Sequence, residues 1–236
     1  MEASALARAL AGRDEVDATL SLAGRTSEPR PQPLRLRVGG FGGVEGLRAY
    51  LRDARIARVV DATHPFAAQM ARNAALACAA EGVPLAKLTR PPWRPQDGDR
   101  WIEVEDGAAA AAALGPTPRR VFLTVGRTSL APFAAAPWHF YLIRAIETPD
   151  DLDRFPHHGL HLARGPFSRA DERDLLRAHR IDMLVAKNSG GAATLAKLHV
   201  ARDLGLPVVM IERPAAPDVA VLHQVADALA FLTAKD

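Results

Sequence analysis

Cysteine is almost absent from this chain. Cys78 stands alone among 236 residues, so neither an internal disulfide nor a cysteine-built metal cage is available. It falls in an Ala-rich helical pattern and reads as a small core residue. Lysine is scarce too: Lys87, Lys187, Lys197 and Lys235 are the only ones, and the rest of the 30 basic residues are arginines. Abundant Ala and Arg together match the codon bias of a GC-rich genome. Arginines beside glycine turns carry a further meaning, because a guanidinium fork suits carboxylates and phosphates. No apolar run approaches a bilayer's thickness, and Met1–Arg13, which carries Glu2, Arg8 and Arg13, lacks the pattern of a signal peptide. A cytoplasmic protein with no membrane partner is expected. The net charge of +3 is too small to indicate a nucleic-acid partner. His157, His158 and His161 cluster without matching carboxylates or cysteines, so no metal is expected. No G-x-S-x-G elbow occurs, which argues against a hydrolase triad.

What is present is an ordinary globular balance, 48% hydrophobic and 24% charged, arranged as alternating strand and helix patterns. Strand patterns fall at Val16–Ala23, Leu34–Val38, Arg58–Ala62, Leu85–Thr89 and Trp101–Val104. They resume at Arg120–Val125, His139–Ile146, Leu160–Ala163, Ile181–Ala186 and Pro207–Ile211. Helical patterns lie between them, with Ser168 and Asp171 as an N-cap pair. A last amphipathic helix is read through Leu222, Val225, Ala226, Leu229 and Leu232. Apolar strands separated by helices predict parallel sheets covered on both faces. Gly115-Pro116-Thr117-Pro118 reads as a linker. The expected fold is α/β, with two Rossmann-like lobes over 1–115 and 116–236, mainly parallel sheets, and a ligand cleft between them.

In such sheets ligands bind at the carboxyl ends of strands, and four turns there combine small residues with charged or hydroxyl ones. Gly24-Arg25-Thr26 puts an Arg where the dinucleotide fold accommodates a 2′-phosphate, a cue for NADPH; the plain alternative is a solvated surface Arg. A three-residue echo, Gly126-Arg127-Thr128, follows a later strand. Gly39–Gly43 fails G-x-G-x-x-G, because Glu45 occupies the third glycine position counted from Gly40. It still allows close backbone approach, or is simply a tight turn. Asp61-Ala62-Thr63-His64-Pro65 is either a helix-capping cluster or a site in which His64 donates a proton or holds a cofactor. Pro65 suits the first turn of the following helix. Lys187-Asn188-Ser189-Gly190-Gly191 combines a strand end, a cation, two glycines and a helix start, which makes an anion site. It is not a Walker A loop.

Taken together with Gly205-Leu206-Pro207-Val208-Val209-Met210, the motifs Asp61–Ala67, Gly39–Gly43 and Lys187–Gly191 resemble those of the precorrin-6A reductase family through nearly the whole chain. The resemblance implies NADPH-dependent reduction of one double bond of the precorrin-6A tetrapyrrole, giving precorrin-6B, in cobalamin biosynthesis. It implies two Rossmann-like domains with the active site in the cleft between them. On this reading the first lobe binds NADPH through Glu2, Ala3, Gly24, Arg25, Thr26, Gly39, Gly40, Thr63 and His64. The second meets the substrate's carboxylates through Gly126, Arg127, Lys187, Asn188, Ser189, Gly190 and Gly191. His64 and Lys187 are the candidate proton donors. The family pattern begins with a strand and a Gly-Gly-Thr-x-Glu-Ala turn, of which Met1-Glu2-Ala3 resembles the tail, so Met1 reads as an internal methionine. Two other readings stay open: a non-catalytic NADP-sensing module, and a tetrapyrrole enzyme that needs no nicotinamide.

Overall fold

A computed structural model describes residues 2–24 and 31–234. The chain forms two compact units, one comprising the sequence up to Pro91 together with that from Pro214, the other Pro92–Arg213. Each is built from parallel strands alternating with helices.

The first unit opens with α1 (Glu2–Leu10), followed by β1 (Thr19–Leu22), β2 (Arg35–Val38), α2 (Gly43–Asp53), β3 (Val59–Asp61), α3 (Ala68–Glu81) and β4 (Leu85–Leu88). β1 and β2 form one parallel pair, and β3 pairs with β4 in a second sheet. The two helices α2 and α3 cover one side. Leu47 and Leu51, a turn apart on α2, meet Ala74, Ala77 and Cys78 of α3, with Val59 and Leu85 beneath. The small residues on α3 let the two helices approach closely. On the other side, Leu6 and Leu10 of α1 share a core with Val60 and Leu88. The odd–even alternation along β3 and β4 sends these residues to opposite faces.

The second unit holds β5 (Trp101–Val104), α4 (Gly107–Ala113), β6 (Arg120–Thr124), β7 (Phe140–Ala145), β8 (His158–Leu162), α5 (Arg169–Ala178), β9 (Met183–Lys187), α6 (Ala196–Asp203) and β10 (Val208–Ile211). Its six strands are all parallel, in the order β5-β10-β9-β6-β7-β8. Phe122, Leu184, Ala186, Val208 and Met210 pack with Leu176 of α5 and Leu198 and Val200 of α6. Val121, Leu123, Val185 and Val209 alternate onto the opposite face and are buried as well, so both faces are covered. The predicted cap forms, Ser168 Oγ accepting from the Asp171 N–H, and α4 has one as well, Asp106 accepting from the Ala109 N–H.

The units divide the chain differently from the boundary expected at 115/116. β5 pairs with β10 in register, Trp101 opposite Val208, which carries residues 92–115 into the second sheet. After β10 the chain returns, and β11 (Ala220–Leu222) pairs in parallel with β4 of the first unit, ahead of α7 (Val225–Thr233). Leu222 therefore lies on a strand, not on the final helix. Gly115–Pro118 is only the loop between α4 and β6.

Candidate functional site

In the second unit the chain runs from β6 outward to β7 and β8, then restarts at β9 on the other side of β6. The switch point of the sheet therefore lies between β6 and β9, where loops diverge and leave a crevice for a ligand. Gly126 and Arg127 follow β6, and Lys187–Gly191 follow β9, so the fold brings together the residues assigned to the substrate. Lys187 Nζ donates to Ser129 Oγ at 2.6 Å, joining the two loops. Burial holds the Lys187 amine below the ordinary lysine range. Arg127 forms a half-exposed ion pair with Glu147, 3.3 Å away, just beyond β7. Gly190 and Gly191 lie at φ +69° and +79°, a left-handed pair that residues with a Cβ adopt poorly. Asn188 does not extend its amide outward: its Oδ1 accepts from the Trp93 N–H at 2.8 Å, and its Nδ2 donates to the Trp93 carbonyl at 3.0 Å. Arg213 donates to the carbonyls of Asn188 and Ser189, at 2.8 and 3.0 Å. A groove of about 560 Å³ opens elsewhere in this unit, lined by Arg100, Arg119, Asp182 and Pro207. Those residues precede their strands, so the groove lies at the end of the sheet away from the turns.

In the first unit, Gly24 and Gly39 stand side by side after β1 and β2. The Gly39 N–H continues the ladder to the Leu22 carbonyl at 2.8 Å. Arg25 and Thr26 lie outside the described residues. Arg37 donates to the carbonyls of Gly39 and Gly40 at 2.6 and 2.9 Å while its guanidinium rests on the Phe41 ring. A Cβ on Gly39, Gly40, Gly42 or Gly43 would meet nothing within 4 Å, whereas one on Gly46 would lie 1.7 Å from the Phe41 carbonyl oxygen. Gly46 is thus the glycine of close approach, one residue beyond the position tested in the sequence pattern. After β3, Asp61 and Thr63 do not cap α3, which starts at Ala68 with no side-chain cap. They form a locked turn instead. Asp61 Oδ1 accepts from the Thr63 N–H at 2.9 Å, and buried Lys87 donates to Asp61 Oδ2 at 2.8 Å and to Thr63 Oγ1 at 2.9 Å. Pro65 sits in this turn, ahead of the helix. His64 Nδ1 accepts from the Phe66 N–H at 3.3 Å, which assigns the ring proton of neutral His64 to Nε2. Glu2, on α1 beside Ala3, pairs with Arg90 at 3.3 Å.

Sequence reading missed Lys87, Trp93, Ser129, Arg37, Arg213 and Gly46. Lys87 was the most accessible of these: a lone lysine in an apolar strand calls for a buried acid, and Asp61 stands at a strand end. Trp93 and Arg213 gave no local signal, because their partners lie far along the chain. Among the described residues, no three His, Cys, Asp or Glu side chains gather to hold a metal, and no helix is long and apolar enough to cross a membrane.

Parallel α/β units with glycine turns at their strand ends, one bearing a lysine at a sheet's switch point, define the class of scaffold on which dinucleotide-dependent enzymes are built. The comparisons narrow the class. The model of the precorrin-6x reductase CbiJ/CobK family matches residues 1–233, and the chain belongs to that family. It is 51% identical over 216 residues to the precorrin-6A reductase of Rhodobacter capsulatus, covering 92% of this chain and 86% of the relative. It is 48% identical over 228 residues to that of a Sinorhizobium species, covering 97% and 87%. A solved structure, "CobK precorrin-6A reductase", superposes with a TM-score of 0.93 at 48% identity, covering 98% of this chain and 92% of the other.

Proposed function

We propose that this protein reduces one double bond of the precorrin-6A macrocycle to give precorrin-6B, with NADPH as reductant, as a step of cobalamin biosynthesis. The observation that carries the assignment is the Lys187–Ser129 bridge across the switch point of the second sheet, within a family of precorrin reductases. A precorrin bears several acetate and propionate carboxylates. Lys187 and the N–H groups of Gly190 and Ala192 suit such anions. In the first unit, the open face over Gly39–Gly43, backed by Arg37, fits the pyrophosphate of a dinucleotide. Thr63, whose hydroxyl accepts from Lys87, keeps its own proton to donate to such a ligand, and His64 stands beside it on the same turn. Arg25 is assigned to the 2′-phosphate on its sequence position. When bound, the nicotinamide supplies the hydride. The macrocycle must also gain a proton, and Lys187 is the favoured source, because burial makes its ammonium more acidic than free lysine; His64 is the second candidate. We place the protein in the cytoplasm, where reduced nicotinamide is available.

Two experiments test this reading. Arg25→Ala should weaken NADPH and leave NADH binding unchanged; equal loss of both removes Arg25 from the 2′-phosphate. If protonated Lys187 acts, kcat/KM falls as pH rises through its lowered pKa. Lys187→Arg, which never deprotonates, should abolish that alkaline limb and lose most of the rate. An unaltered limb in the variant assigns the proton elsewhere.

A further inference from the structure

The turn after β9 is held by its carbonyls. Arg213 takes the carbonyls of Asn188 and Ser189, and the Trp93 indole Nε1–H donates to the Gly191 carbonyl at 2.9 Å. The Trp93 main chain clasps both ends of the Asn188 amide. Its ring also faces the buried Lys197 ammonium, 5.1 Å from the centroid, and Lys197 donates to the Thr194 carbonyl at 2.7 Å. One tryptophan therefore touches the turn at its start, at its second glycine and, through Lys197, near its exit. In a planar trans peptide the carbonyl and the following N–H point in opposite directions. Fixing the carbonyls of Ser189 and Gly191 therefore aims the Gly190 N–H away from Arg213 and the Ala192 N–H away from Trp93. Two successive residues at positive φ shape the turn, and outward N–H groups in such a turn suit an anion.

We infer that Trp93 is a positioning residue for substrate binding: its indole N–H and main chain set the direction of the turn amides that hold a macrocycle carboxylate. This rests on the assignment of the 187–191 turn to the macrocycle. It also recasts Asn188, whose side chain serves to clasp Trp93 rather than to meet the ligand. Trp93 acts only through the turn, so its loss shows in substrate affinity before turnover.

Trp93→Phe deletes the indole donor and keeps a ring over Lys197. It should raise KM for precorrin-6A roughly fivefold, the worth of one hydrogen bond's orientation, with kcat within about twofold and NADPH affinity unchanged. Hydrogen exchange gives a second readout. Substrate should slow exchange at residues 190–192 in the wild type and do so much less in Trp93→Phe. Lys187→Met separates the two layers of the argument. If it leaves KM unchanged, the turn is not the macrocycle site, and the assignment falls with the inference. If it raises KM while Trp93→Phe keeps wild-type KM and wild-type protection, the inference about Trp93 alone is overturned. Should Trp93→Phe fold poorly, Asn188→Ala opens the same clasp from the other side. It should show the same rise in KM with normal NADPH binding, and a wild-type KM there also overturns the inference.

Discussion

Buried charge in the second unit sets the behaviour of single residues. Arg144 and Glu172 form a bidentate pair at 2.6 and 2.9 Å, with the guanidinium resting on the Phe122 and Phe167 rings. Both side chains are buried, at 8% and 0% exposure, so removing one charge strands the other. Glu172→Gln should destabilise the protein by about 3–5 kcal/mol in urea unfolding; a loss below about 1 kcal/mol would mean that the pair behaves as a surface bridge. Lys197 differs, because it has a carbonyl and a ring for partners but no carboxylate within bonding distance among the described residues. Burial pushes its amine down to about 7, a shift that the field of Glu172 only partly opposes and that of Arg144 reinforces. The unfolded chain holds that proton up to about pH 10.4, and the folded chain releases it near 7. Between those values the unfolded state binds more protons, so stability climbs with pH. Lys197→Met should raise Tm at pH 6.5 and flatten the rise toward pH 9.5. A lower Tm in the variant at every pH would show that the lysine stabilises the fold even when charged.

At the scale of elements, glycine turns separate what sequence pattern can and cannot reveal. The strand patterns 101–104 and 120–125 lie within a residue of the observed strands, because short, mainly apolar stretches bounded by turn residues leave little choice. Ser168 with Asp171 identifies a helix start for the same local reason. Gly39–Gly43 looked like a ligand loop from its glycine content, yet the glycine that sterics demand is Gly46. That demand comes from α2 folding back over the Phe41 carbonyl, a contact that spacing does not display. Gly40→Ala, whose Cβ meets open space and whose φ is not positive, should change stability by less than about 0.5 kcal/mol. Gly46→Ala must move backbone and should lose more than about 2 kcal/mol, together with dinucleotide affinity. Paired urea melts and NADPH titrations check both, and equal effects would contradict the steric account. The Asp61–His64 turn reads in the sequence as a capping cluster or a ligand turn but not as a lock, because Lys87 reaches it from the neighbouring strand, 26 residues on.

For the whole molecule, the sequence's prolines carried a message that pattern reading assigned to the wrong place. Gly115–Pro118 resembles a linker more than Pro91-Pro92 or Pro214 does, yet the chain passes between units at the latter two. Strand exchange cannot be seen in local periodicity: β5 reads the same whichever sheet it joins, and β11 is only Ala220–Leu222, with Ala220 and Val221 exposed, too short to stand out from the helix that follows. The consequence is an asymmetry between the units. Pro92–Arg213 is one continuous segment containing every strand of its sheet and both layers of its core. The first unit is discontinuous, because β11 and α7 reach it only after the second is complete. A fragment comprising 92–213 should therefore fold alone, with a cooperative thermal transition and dispersed amide spectra. A fragment cut at 116 carries β6–β10 without β5. Its β10, in which Val208, Val209, Met210 and Ile211 are all buried, becomes an uncovered apolar edge, and β11 and α7 hang from it without their sheet. That fragment should aggregate or melt without cooperativity, and 1–91 alone should do the same for want of β11 and α7. Cooperative folding of 116–236 alongside failure of 92–213 would restore the boundary at the Gly115–Pro118 loop.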